Sequence, residues 1–120
     1  MKQIKFAVLG LALGSTVSIA GECVQPDKPA MPDGAKASME DMLNGQKAVK
    51  SFQAANMDYM KCLEEAHKAA EAAAAPDRSD EDKMATQAAF EETYNAAVSV
   101  EEEVAGQFNT EIREYKAANP

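Results

Sequence analysis

Apolar residues recur at helical spacing along two stretches of the 120-residue chain. In the first stretch, residues 38–75, a seven-residue repeat runs through Met42, Val49, Asn56, Leu63 and Ala70. In the second, residues 79–116, larger side chains step by three, four or seven positions: Phe90, Ala97, Val100, Val104, Phe108, Ile112 and Tyr115. Because such spacings place residues on one face of an α-helix, each stretch predicts an amphipathic helix and the chain is predicted to be all-α.

Local signals place the ends of both helices. Ser38 and Ser79 each precede acidic residues and are predicted N-caps, since a serine hydroxyl accepts a hydrogen bond from an unpaired first-turn amide. Pro76 ends the first helix because proline cannot donate to the helical ladder. Two helices of similar length with a short connection predict a long antiparallel two-helix hairpin spanning residues 38–120.

The segment before the first helix, residues 21–37, has a different pattern. Pro26, Pro29 and Pro32 recur every three residues, which is the period of a polyproline II helix, so their rings project from one edge. We predict an extended Pro-rich N-terminal strap that lies along the first helix. The alternative is that this PxxP-containing segment is a ligand for another domain.

The first helix offers a track for this strap. Phe52, Tyr59 and Cys62 lie on one stripe of the helix, beside the seven-residue repeat, and we predict that the three prolines pack against the two aromatic rings. The extended segment from Cys23 is long enough to run back along the helix to Cys62. We therefore predict a Cys23–Cys62 disulfide that links the strap to the first helix.

The first twenty residues have the features of a signal peptide. Two lysines precede the apolar run FAVLGLAL, and Ser18 and Ala20 are small residues suitably placed before a cleavage at Gly21. The apolar run falls short of the about 20 residues that span a bilayer. We predict that residues 1–20 are removed and that the mature protein is periplasmic or secreted, where disulfides persist.

The charge excludes some classes of partner. The whole chain has a net charge of −8, and residues 1–20 hold two of its twelve basic residues and none of its twenty acidic ones. The mature chain therefore carries −10. Because phosphate backbones and anionic lipids repel such a surface, we expect no nucleic-acid binding and no membrane association after cleavage.

Catalytic motifs are absent from the sequence. His67 is the only histidine, there is no G-x-S-x-G and no Gly-rich phosphate loop, and the cysteines form neither C-x-x-C nor C-x-x-C-H. Adjacent carboxylates such as Glu64 and Glu65 point about 100° apart on a helix. We therefore predict that the protein is not an enzyme and carries no cofactor.

Soft-metal binding is the alternative chemistry. Met39 with Met42, and Met57 with Met60, form two M-x-x-M pairs on helical faces, and His67 follows on the same face as Met60. Thioether sulfur is a suitable ligand for Cu(I). The competing interpretation is that these methionines fill gaps in a thin core.

These observations predict a small exported helical protein that acts through protein–protein interaction or has a structural role in the cell envelope. The partner is either an unknown protein or a second copy of the chain. Leu43, Phe90 and Val98 suggest apolar surface for a homodimer, because a two-helix hairpin cannot bury all of its apolar residues.

Overall fold

The computed structural model describes residues 23–120, and within that range the chain forms two α-helices and no strands. Helix α1 spans Met39–Ala73 and has 35 residues, whereas α2 spans Asp80–Ala118 and has 39 residues. At 1.5 Å per residue the helices are roughly 52 and 58 Å long. The prediction of an all-α chain is confirmed for the described residues, and the predicted signal peptide lies outside them.

Serine side chains cap the N-termini of both helices. In α1 the Ser38 hydroxyl accepts from the Asp41 amide at 3.1 Å, and the Asp41 carboxylate accepts from the Ser38 amide at 3.0 Å. This reciprocal capping box satisfies two amides that have no partner within the helix. In α2 the Ser79 hydroxyl accepts from the Asp82 amide at 3.1 Å. Both caps lie at the positions that the sequence predicts.

The connection between the helices explains why α1 ends two residues before its predicted end. Ala74 already has extended backbone angles, φ −68° and ψ 149°. Pro76 disfavours helical geometry in the residue before it, and the carbonyl of Ala75 accepts from the Arg78 amide at 3.3 Å in a turn. Arg78 then pairs with Glu71 in the last turn of α1. Helix α2 meets no such obstacle and extends two residues beyond its predicted end.

The two helices form a helical hairpin. The Asn56 side-chain amide of α1 donates to the Ala97 carbonyl of α2 at 3.0 Å, and the His67 ring stacks on Phe90 at 4.3 Å between centroids. Residues that come later in α1 therefore contact residues that come earlier in α2. Asn56 is only 1% exposed, so this hydrogen bond satisfies the one buried polar side chain in the described core.

The hydrophobic core lies in the half of the hairpin far from the turn. Its buried cluster consists of Met42, Val49, Phe52, Val104 and Phe108. Partly buried residues pack around this cluster: Met31, Ala37, Val100, Ile112 and Tyr115. Met31 and Ala37 come from the segment before α1, so the core has a contribution from outside the two helices. Toward the turn, alanines replace most large side chains and less apolar surface is buried.

The N-terminal segment, which we define as residues 23–37, is attached to both helices. Cys23 forms a disulfide with Cys62 of α1, with the sulfur atoms 2.03 Å apart, and this confirms the predicted bridge. At the other end of the segment, the Gly34 amide donates to the Glu111 carboxylate of α2 at 3.1 Å. The segment is thus covalently bound to α1 and hydrogen-bonded to α2.

Gly34 is required for a close approach between backbones. A Cβ atom at this position would lie 2.8 Å from the carbonyl carbon of Glu111 and 3.0 Å from the backbone nitrogen of Tyr115. None of the glycines in residues 23–120 has a positive φ angle. The glycine of the predicted Asp33-Gly34 turn therefore serves contact with α2, whereas Asp33 accepts the turn hydrogen bonds from Lys36 and Ala37.

The two glycines within the helices differ from each other. A Cβ on Gly45 would lie 2.9 Å from the Pro32 ring and 3.2 Å from the Phe108 ring, so this position also holds the N-terminal segment close to the hairpin. A Cβ on Gly106 would meet no atom within 4 Å.

Over residues 23–120, the apolar content of both helices is too low for either to cross a bilayer.

Candidate functional site

A groove runs along one side of the hairpin between α1 and α2, and the N-terminal segment covers part of it. Lys28 forms an ion pair with Glu103 of α2 at 3.1 Å. Met31 packs against the core cluster, which includes Val104 and Phe108 of α2, and the Pro32 ring lies over Gly45 of α1. In the half of the hairpin far from the turn, the segment therefore bridges the two helices.

Beyond the disulfide, toward the turn, residues 23–37 leave the groove uncovered. We call this part the tip groove; it has a volume of about 210 Å³ and is lined by Leu63, Ala66, His67, Ala70, Thr86, Ala89, Phe90 and Thr93. The stacked His67 and Phe90 rings, 10° from parallel, are its two aromatic lining residues. Because the remaining lining side chains are mostly alanine and threonine, the helices leave a furrow between them that no large side chain fills.

The tip groove continues the covered part on the same side of the hairpin. Ala66 lies one helical turn beyond Cys62, which holds the N-terminal segment. On α2, Ala89 lies fourteen residues before Glu103, and Thr93 lies fourteen before Gln107. Since fourteen residues are close to four turns of an α-helix, each pair faces the same way. The residues that hold the segment and those that line the tip groove form one continuous surface.

The rim of the tip groove is acidic. Glu65 lies one turn beyond Cys62, Glu92 lies three turns before the acid that pairs with Lys28, and both side chains are exposed. Residues 58–93 contain ten acidic and four basic residues. Two of those basic residues, Arg78 and Lys83, already pair with Glu71 and Asp80 of the hairpin. The half of the hairpin that contains the tip groove therefore carries a net negative charge, and Glu92 is its acidic residue nearest in position to the lining residues Ala89 and Thr93.

The residues predicted to pack the strap are only partly placed in contact. Pro32 contacts Gly45, as described above. Phe52 belongs to the buried core cluster, whereas Tyr59, Pro26 and Pro29 are half-buried. The packing of the prolines on Phe52 and Tyr59 stays a prediction.

The predicted metal-binding residues are distributed over different environments. Met42 is 6% exposed and belongs to the core cluster, whereas its partner Met39 is 58% exposed. Met57 is 62% exposed, and Met60 is half-buried. His67 stacks on the tip-groove aromatic ring, and its Nε2 atom hydrogen-bonds the Gln87 amide oxygen at 3.0 Å. Copper binding by these residues stays a prediction, and the geometry of the described residues adds nothing in its favour.

The surfaces predicted to form a homodimer fall into two separate grooves. Phe90 lines the tip groove, and Val98 is half-buried. Leu43 lines a second apolar groove of about 380 Å³ with Met39 and Ile112, at the opposite end of the hairpin from the turn. The homodimer itself stays a prediction.

Carboxylates cluster where the N-terminal segment meets α2. One oxygen from each of Asp33, Glu111 and Glu114 lies within 4.8 Å of the others. The negative charge of Glu111, followed by a hydrogen bond with it, raises the pKa of Glu114 above the usual 4.5. Because Glu111 also accepts from the Gly34 amide, the cluster is explained by the attachment of the segment.

A second carboxylate contact joins the two helices, between Glu64 of α1 and Tyr94 of α2. The Glu64 carboxylate, as hydrogen-bond partner and as nearby negative charge, raises the pKa of Tyr94 above its usual 10.0. The Tyr94 ring packs against the Phe90 ring in a tilted arrangement, with 5.7 Å between the ring centroids.

Sequence reasoning did not identify the tip groove. The sequence alone places His67 among candidate copper ligands with the methionines and Phe90 on a predicted dimer face, whereas in the structure their rings stack across the two helices. The signal that could have located the groove is the run of small residues facing each other near the turn, Ala66 and Ala70 on α1 with Ala89 and Thr93 on α2.

Comparisons with protein-family models, with curated proteins and with solved structures found no match to this chain.

Proposed function

We propose that this chain is a small exported protein that acts by binding another protein in the cell envelope, through the tip groove, and that it catalyses no reaction. The observation that carries the proposal is the contrast between the two halves of one groove. The half far from the turn is covered by the chain's own N-terminal segment, whereas the tip half is apolar, open and about 210 Å³ in volume.

In this proposal the N-terminal segment is a Pro-rich strap that runs antiparallel to α1. The disulfide and the Gly34 contact hold it at its two ends. Its role is to complete the core where the partner does not bind, because a two-helix hairpin alone buries too little apolar surface to be stable. The strap thus leaves the tip groove free for the partner.

Export is supported by two independent features. The N-terminal sequence has the charged, apolar and small-residue regions of a signal peptide. The disulfide fits an oxidising compartment such as the periplasm or the outside of the cell. We therefore place the proposed partner in the same compartment.

Capture from an envelope extract tests the proposal. The immobilised mature protein is compared with Ala89→Arg, which places a bulky charge in the tip groove, and with Ala88→Arg, which adds the same group one residue away. Ala89 and Ala88 are both exposed, and Ala88 lines a different depression beside Met84. We expect a captured protein that is lost with Ala89→Arg and kept with Ala88→Arg.

Two results contradict the proposal. One is a captured set that is identical for the two variants, because binding would then not use the groove. The other is light scattering that shows a dimer disrupted by Ala89→Arg with no other protein captured, because the groove would then serve self-association. Melting curves of both variants verify that each one is folded.

A further inference from the structure

We infer that the tip groove takes an extended, proline-containing peptide segment that carries lysine or arginine. The inference rests on the proposed function, since it specifies the partner of the same groove. Three observations support it: the groove is continuous with the surface that holds the N-terminal segment, its rim is acidic, and it is narrow with an aromatic pair.

Continuity provides the first argument, because the covered half shows what kind of chain this groove holds. There, residues 24–33 lie in the groove without forming a helix or a strand. Met31 packs against the core cluster, and the Pro32 ring lies on Gly45. An extended peptide placed in line with residues 24–33, on the side of Cys23 nearer the turn, would lie in the tip groove, where Ala66 and Ala89 are on the same faces as the residues that hold the segment.

Charge provides the second argument. Lys28 of the N-terminal segment pairs with Glu103 on the rim of the covered half, and both side chains are about half-exposed. Three helical turns along α2, Glu92 repeats this position on the rim of the open half, and it forms no ion pair within residues 23–120. A basic residue on the partner could pair with Glu92 as Lys28 pairs with Glu103. A second copy of the chain would bring its own excess of acidic residues and be repelled.

Shape provides the third argument. The furrow from Leu63 to Ala70 is only seven residues of helix long, or roughly 10 Å, which an extended peptide crosses in about three residues. Alanine and threonine walls leave room for a narrow chain, but another α-helix is about 10 Å across. Proline-rich peptides in extended form dock on aromatic-lined grooves, and His67 and Phe90 provide stacked rings here.

The N-terminal segment itself supplies the probe. A fluorescent, end-capped peptide of residues 24–33 with Asp27→Lys and Asp33→Lys carries three positive charges. Its matched control has the native sequence with Lys28→Glu and carries three negative charges. A third peptide keeps the positive charges but replaces its three prolines by alanine. Fluorescence anisotropy with the disulfide-bonded mature protein measures the affinity of each.

We expect the cationic proline peptide to bind at least about tenfold more tightly than the anionic peptide and the alanine peptide, with the charge-dependent difference falling at high salt. Ala89→Arg should weaken its binding by about tenfold or more, and Ala88→Arg by less than about twofold. These results together support the inference.

Other results overturn it in distinguishable ways. Equal binding of the cationic and anionic peptides contradicts the charge argument, and equal binding of the alanine peptide contradicts the extended proline form. If no peptide binds up to about 1 mM while capture from the extract still depends on Ala89, the partner chemistry is wrong and the proposed function stands. If both fail, both are wrong.

Discussion

Replacing Gly34 by alanine tests how the N-terminal segment is held. The new Cβ would lie 2.8 Å from a backbone carbon of Glu111, whereas carbon atoms pack best at about 3.5–4.0 Å. Backbone atoms of a helix cannot rotate away, so the segment must move by about 1 Å. That shift breaks the Gly34–Glu111 hydrogen bond and loosens the packing of Met31 on the core cluster.

The size of the effect follows from these contacts. A hydrogen bond to a charged group contributes about 1.5–3 kcal/mol, and partial exposure of a methionine costs roughly 1 kcal/mol. Alanine also restricts the unfolded chain, which stabilises by about 0.4–1 kcal/mol where the backbone angles are unstrained. We therefore expect Gly34→Ala to destabilise the protein by roughly 2 kcal/mol, which lowers Tm by about 10 °C for a domain of this size.

Thermal unfolding followed by circular dichroism measures this change, with Gly106→Ala as the matched control. A Cβ on Gly106 meets nothing within 4 Å, and glycine inside a helix is less favourable than alanine by about 0.5–1 kcal/mol. Gly106→Ala should therefore raise Tm. If Gly34→Ala also raises Tm, the segment does not lie against α2 as described, and the reasoning is refuted.

Three further predictions concern other contacts. Replacing Cys23 and Cys62 together by serine removes a disulfide that joins residues 39 apart in sequence. In the chain-entropy model this lowers the free energy of unfolding by about 4 kcal/mol, which urea unfolding measures. An unchanged urea midpoint would contradict the stabilising role of the bridge. Asn56→Ala removes the buried hydrogen bond to Ala97 and leaves a cavity, so we expect a loss of about 1–3 kcal/mol by the same assay, and a loss below about 0.5 kcal/mol would contradict it. The pKa of Glu114 is raised in the folded protein, so its ionised form destabilises the fold at neutral pH. Glu114→Gln should therefore raise Tm at neutral pH, and the gain in Tm that this group causes when the pH falls to about 4.5 should be absent from the variant. Equal pH profiles of Tm for the two proteins would contradict this prediction.

Much of the helical architecture could be predicted because its causes are local. The seven-residue repeat through Met42 and Val49 identifies the buried face of α1, and both residues are buried. Ser38 and Ser79 mark the helix starts because capping involves residues only three apart. The end of α1 was missed by two residues, since the turn around Pro76 uses more chain than proline geometry alone requires.

Contacts between distant segments were harder to predict. The disulfide could be inferred because only two cysteines exist, and one pairing is possible. The function of Gly34 could not be inferred in this way, because its close contact depends on how α2 lies beside the N-terminal segment. The Asp33-Gly34 dipeptide alone indicates only a turn. The tip groove is formed by small residues on two helices, and a sequence pattern of alanines is equally compatible with a groove and with a closely packed helix interface.

The most direct test of the account is an NMR titration of the isotope-labelled mature protein with the cationic proline peptide. We predict chemical-shift changes at the amides of Ala66, Ala89 and Thr93, while Gly34 and Lys36 of the N-terminal segment keep their shifts because the segment stays in place. Changes confined to the groove around Leu43, or movement of the N-terminal segment signals without change in the tip groove, would contradict the claim that the open half of the groove is the binding site.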